Sequence, residues 1–214
     1  SLHDALPIYA FAFIASCLSY GSRKQFFPKI QYILDCSGGN VHEWVKSGDF
    51  ERDIPDTEDC YYRLYTYSLM NHFLKAYREL ILEYGSLGEY LRNNYVIDAF
   101  DAIEMITSYF ASRGIEVIVP KDTKSSCKRI CMFLRWMVRD NSPVDLGLWT
   151  FIDKRTLIMP MDTHVLQEAC SMGFLNSRSA SMSAARKLTA KMAEIFPDDP
   201  LKGDFALFGY GVDK

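Results

Sequence analysis

Only one run in this chain, IEVIVP at 115–120, alternates as a strand does, and no second run stands ready to pair with it. A short strand needs a neighbour to take its backbone hydrogen bonds. The run is therefore expected to be an extended connection. The rest follows helical periodicity. CYYRLYTYSLMNHFLKAYRELILEYG carries Leu69, Phe73, Tyr77 and Leu80 at helical spacing and stops at Gly85. YAFAFIASCLSYG ends at Gly21, and SRKQFFPKIQYILDCSGG runs from Ser22 to Gly38-Gly39. VHEWVKSG, SLGEYLRN, VIDAFDAIEMITSYFASRG, CKRICMFLRWMVRD, THVLQEACSMG and SASMSAARKLTAKMAEIF read as further helices. SPVDLGLWTFIDK reads as a turn with a short helix, and PLKGDFALFGYG closes the chain. The expectation is an all-α fold of about ten helices.

With 214 residues, 49% apolar and 14% aromatic, the chain can bury a substantial core. Two packed helical subdomains with a cleft between them are expected. One spans approximately 30–140; the other joins 9–29 to 141–214. Residues 1–8, SLHDALPI, match the translation of a common sequencing-adapter end, TCC CTA CAC GAC GCT CTT CCG ATC. They are expected to be foreign to the natural chain. No apolar run approaches the roughly 20 residues that cross a bilayer, and a cytoplasmic protein is expected. Six scattered cysteines have no C-x-x-C and no Cys/His pairing. Neither a metal nor any other cofactor is expected.

Net charge is −3, which argues against a generic nucleic-acid coat protein. The charge is uneven, however. Residues 41–60 hold seven acids and two bases, whereas 121–140 hold six bases and two acids. Residues 176–191 hold four bases and no acid. A local positive face and ordinary solvated helix faces both fit this pattern.

Lys128, Met132, Arg135 and Arg139 share one face of the helix that starts near Cys127. Arg129 sits beside Lys128. A lysine amine is a nucleophile only when neutral, and nearby cations or burial favour that form. An exposed lysine near a helix start is the plain alternative. Ser125 and Ser126 open this helix, as caps, as a phosphate-holding start, or as both. Asp162, two residues after Pro160, is placed to cap THVLQEACSMG, and spacing alone asks no more of it. His164 then lies in the first turn, toward solvent or a neighbour.

MPMDTHVLQEACSMGF resembles the D-T-H-V segment of helix-hairpin-helix DNA glycosylases of the endonuclease III type. CKRICMFLRWMVRDNSPVDLGLWTFI, DDPLKGDFALFGYG and ASCLSYGSRKQ are similar to a narrower bacterial family of uncharacterised conserved proteins, over nearly all of 10–212. That family is distantly related to the glycosylases. The resemblance implies a catalytic role for Asp162. It implies Lys128, 34 residues upstream (162 − 128), as the nucleophile. Such a gap is nearest to the archaeal 8-oxoguanine glycosylases. The hairpin L-P-G-V-G-x-K is missing, and the matching region reads PKDTKSSCKR.

The implied function is excision of a damaged base by base flipping, with an abasic-site lyase step and damaged duplex DNA as partner. Ser126, Arg129, Arg135, Arg139, Thr163 and His164 are the expected DNA contacts. Trp136, Trp149 and the run Tyr61, Tyr62, Tyr65, Tyr67 are core packing or stacking platforms. A monomer is expected. The second reading is a non-catalytic DNA-binding protein that keeps the fold and has lost the reaction.

Overall fold

The computed structural model describes residues 6–212; Ser1–Ala5 of the adapter-like run lie outside them. Eleven α-helices and one short hairpin form the regular structure of the described residues, so the class is all-α. In chain order they are α1 (Leu6–Leu18), α2 (Arg23–Cys36), α3 (Val41–Ser47), α4 (Phe50–Asp53), β1 (Cys60–Tyr62) and β2 (Tyr65–Thr66). There follow α5 (Tyr67–Tyr84), α6 (Leu87–Asn93), α7 (Ala99–Ala111), α8 (Lys128–Val138), α9 (Thr163–Ser171), α10 (Met182–Ile195) and α11 (Lys202–Val212). None of the helices is long and apolar enough to cross a membrane.

The helix starts follow capping chemistry. Asn40, Thr66, Ser86, Asp162 and Ser181 each accept, through a side-chain oxygen, the N–H three residues on. Each such bond satisfies one of the N–H groups that a helix start leaves without a partner. At the far end of α5, Gly85 takes φ +84 and returns its N–H to Ile81 O at 2.8 Å.

IEVIVP belongs to no strand, and Ile115, Ile118 and Val119 are buried along it. Two expectations need correction. The helix expected from Cys60 starts at Tyr67, because 60–66 form an antiparallel hairpin. Tyr61, Tyr62 and Tyr65 bury their rings there, and Arg63 turns the chain at φ 52. Tyrosine favours such half-buried strands, and the Thr66 cap starts the helix only afterwards. The short helix expected within SPVDLGLWTFIDK is a loop, and a single 3-10 turn, Lys154–Thr156, begins at its last residue. That loop is fixed to α8 by N–H bonds from Leu146 to Trp136 O and from Trp149 to Met137 O, both 2.7 Å.

The chain divides into two compact units. The first comprises Ser1–Tyr95 and Ile106–Lys121, the second Val96–Met105 and Asp122–Lys214. In the first, Phe13 anchors the core, its ring centroid 5.1 Å from Tyr77, 5.5 Å from Phe110 and 5.9 Å from Phe73. In the second, α9 packs on α11. Trp149 buries its ring edge-on to Phe133 at 5.3 Å. Trp149, Tyr61, Tyr62 and Tyr65 are thus core residues and not exposed stacking platforms.

Candidate functional site

Lys128, Asp162 and the charged residues around them all lie in the second unit. Helix α8 buries Ile130, Cys131, Phe133, Leu134, Met137 and Val138, which leaves Lys128, Met132 and Arg135 half-buried on another face. Its start departs from the serine cap expected. Cys127 is the N-cap, in a left-handed conformation (φ 47, ψ 39), and makes no side-chain cap bond. Ser126 is buried and its N–H goes to Ala180 O at 2.9 Å. Ser125 forms a bridge with Ser181, the cap of α10. The chain before α8 is therefore held by the start of α10, and the Ser126 amide is not free to hold a phosphate.

Asp162 caps α9. Its Oδ1 accepts the Val165 N–H at 2.8 Å, and its backbone is extended (φ −93, ψ 176). The other oxygen, Oδ2, lies 4.0 Å from Lys128 Nζ. One carboxylate thus serves two directions: the cap fixes its orientation, and the remaining oxygen faces the amine. The Lys128 side chain is 38% exposed and that of Asp162 18%. The pair is loose and open to a solute.

Arg135 and Arg139, expected as phosphate ligands, hold carboxylates instead. Arg139 Nε donates to both oxygens of Asp199 at 3.0 Å, and its Nη1 to Asp145 Oδ2 at 2.9 Å. Arg135 Nε donates to Asp145 Oδ1 at 3.1 Å, and its Nη1 to Asp204 Oδ2. The Asp145 side chain is fully buried, and that of Arg139 is 7% exposed. The Phe205 ring lies 4.9 Å from the Arg135 guanidinium and 5.0 Å from that of Arg139. A buried guanidinium already shared among carboxylates has no free edge for a phosphate. Asp145, Asp199 and Asp204 are the charged residues that the sequence did not point to. They come from a loop, a turn and α11, and no spacing ties them to α8.

Asp204 connects the two groups of charge. Burial pushes its carboxyl above the ordinary range, the Arg135 guanidinium pulls it down, and Asp162 and Asp145 push it up again. Asp162 and Asp204 are therefore close enough to feel each other's charge.

The remaining expected contacts are dispersed. Thr163 and His164 are exposed in the first turn of α9, beside Asp162. Arg129 is half-buried, next to Lys128. Among the described residues no three His, Cys, Asp or Glu side chains converge as metal ligands would.

No curated protein and no solved structure matches the chain. One family model, described as "Protein of unknown function (DUF2400)", matches residues 2–213, and the chain belongs to that family.

Proposed function

We propose that the protein is a DNA repair glycosylase with an abasic-site lyase step, built on a divergent helix-hairpin-helix glycosylase fold. The observation that carries this reading is the approach of Lys128 Nζ to 4.0 Å from Asp162 Oδ2, with Oδ1 held by the α9 amide. An amine and a fixed carboxylate at that separation can exchange a proton with little movement.

The reaction follows from that pair. A base inside a duplex must first be turned out of the stack. Asp162 Oδ2 takes a proton from Lys128, and the freed Nζ lone pair bonds to C1′ of the sugar. The C1′–N bond breaks, and the base leaves with its electron pair and a proton. As that bond breaks, the sugar gains positive charge, which the adjacent carboxylate stabilises. The C1′–O4′ bond then breaks, O4′ takes the remaining Nζ proton and a Schiff base forms on Lys128; a C2′ proton is lost to water as the C3′–O bond breaks, so the 3′ phosphate leaves with that electron pair and the strand is cut. Thr163 and His164, exposed at the start of α9, and Arg129 beside Lys128 are the remaining candidates for DNA contact. The protein acts in the cytoplasm as a monomer, without metal or cofactor.

Borohydride trapping on duplexes with an abasic site or an oxidised base tests the reading. A covalent protein–DNA product that disappears in Lys128→Ala is expected. No trapping and no base release on any lesion, with DNA binding intact, would instead leave a DNA-binding protein that has lost the reaction.

A further inference from the structure

The chemistry proposed above uses the starts of α8 and α9. The segment that delivers Asp162 passes a second polar feature on its way. The first turn of α7, the 3-10 turn and the middle of α10 enclose a cavity of about 230 Å3, open to solvent. Its polar lining is Asp98, Arg155, Thr156, Arg186 and Thr189, and Phe100 forms one wall.

Most of these polar groups are already engaged. Asp98 Oδ1 accepts the Phe100 N–H at 2.7 Å. Thr156 Oγ1 donates to Asp153 O and accepts the Ala99 N–H. Thr189 Oγ1 donates to Ala185 O and accepts the Met159 N–H. Arg155 clasps Asp153 through Nε and Nη2. Arg186 differs. Its guanidinium lies 4.8 Å from the Phe100 ring centroid, and among the described residues it meets no carboxylate. Stacking uses the flat face of a guanidinium and leaves its N–H edge for an anion with two oxygens to offer. Asp98 puts one carboxylate in the lining, but the stretch of chain that carries Arg186 is basic. From Arg178 to Lys191 the chain carries four bases and no acid.

The cavity is also tied to the candidate active site. Ile158 lines it, and Asp162 follows four residues later. Four residues span at most about 14 Å. Helix α10, which carries Arg186, is joined to the start of α8 by the bonds Ser126 N–H to Ala180 O and Met182 N–H to Lys124 O. A DNA strand rises about 3.4 Å per nucleotide, so about 14 Å spans roughly four nucleotides.

We infer that this cavity is a subsite for one backbone phosphodiester of the strand under attack, held by Arg186 within about four nucleotides of the base taken at Lys128 and Asp162. The placement rests on the proposed function. The anion class rests on the cavity itself.

The test uses the full chain and a fluorescent duplex carrying a stable abasic-site analogue. Arg186 is exposed on a helix, so Arg186→Ala should fold as the parent does, which a thermal melt checks. Lys24→Ala removes the same charge in the first unit and serves as the control. Arg186→Ala should weaken binding about 5- to 10-fold and lower the slope of log K against log salt by about one, whereas Lys24→Ala should change neither. Replacing single phosphates by neutral methylphosphonates should show one sensitive position, within about four nucleotides of the lesion, whose effect vanishes in Arg186→Ala. Equal affinity and slope in parent and Arg186→Ala would overturn the subsite and leave the proposed reaction standing. Binding of inorganic phosphate that Arg186→Ala abolishes, with no change on the duplex, would assign the cavity to a free phosphate and overturn the inference. Failure of borohydride trapping, with Arg186-dependent binding intact, would overturn the reaction and leave the subsite.

Discussion

Helix α8 carries charge at both ends, and the two ends are built differently. At its C-terminal end Arg139 is buried and Arg135 half-buried, and together they hold three carboxylates at hydrogen-bond distance. At its N-terminal end Lys128 stands 4.0 Å from a single carboxylate oxygen, and both side chains retain access to solvent. A buried ion-pair network fixes structure, and breaking it leaves charge stranded. A loose, half-exposed pair contributes little to stability, so its placement needs another reason. The reaction proposed above is the reason we offer.

The most severe test of this contrast is Arg139→Ala. It strands Asp199 in a buried setting and leaves Asp145 with Arg135 alone, and should cost about 3–5 kcal/mol by urea unfolding. A cost under about 1 kcal/mol would show that the network is not structural. Next comes Asp162→Asn at the opposite end. Asparagine caps a helix about as well as aspartate, so stability should move by no more than about 0.5–1 kcal/mol. Turnover should fall about 10²- to 10⁴-fold, because the proton acceptor is gone. Retained turnover would remove Asp162 from the reaction.

Gly147→Ala probes how the loop clamps Asp145 onto the arginines. Gly147 has φ +61, and an added Cβ would meet Asp140 Cα at 3.0 Å and Arg139 O at 3.3 Å. The substitution should cost about 1–3 kcal/mol, read as a lowered melting temperature.

The smallest effect is a pH dependence, in Asp204→Asn. Burial raises the Asp204 carboxyl above its unfolded value, so the native state holds its proton more tightly than the unfolded chain does. The stability this contributes is fully present below the unfolded pKa and is lost as pH rises through the folded one. The parent should therefore lose ground to Asp204→Asn between about pH 4 and pH 7, measured by denaturant unfolding at both. An unchanging difference would place the Asp204 carboxyl outside this coupling.

What the sequence made legible was local. The periodicity of α8 and the cap at Asp162 are written within a turn or two of chain, and both stand in the structure. The pairing of Lys128 with Asp162 came from a resemblance, since spacing along the chain says nothing of an approach between two helices. The partners of Arg135 and Arg139 were illegible for a related reason. Asp145, Asp199 and Asp204 meet α8 only through tertiary packing, so two arginines held in ion pairs read as free surface cations. The hairpin at 60–66 was missed because Arg63 makes its turn in a conformation that usually signals glycine or asparagine. The start of α8 was legible to within one residue, but its cap was not, because Cys127 takes a left-handed conformation and makes no side-chain cap bond.

The bridge between Ser125 and Ser181 has a kinetic consequence. It joins positions 56 residues apart (181 − 125), and it frames the start of the helix that bears Lys128. Closing a loop of that length costs entropy before any contact rewards it. A chain emerging from the ribosome can therefore contain both Lys128 and Asp162 and still lack the frame that aligns them. The amine gains its carboxylate only when the last third of the chain has arrived. A half-made protein thus carries Lys128 and Asp162 without the frame that brings them together.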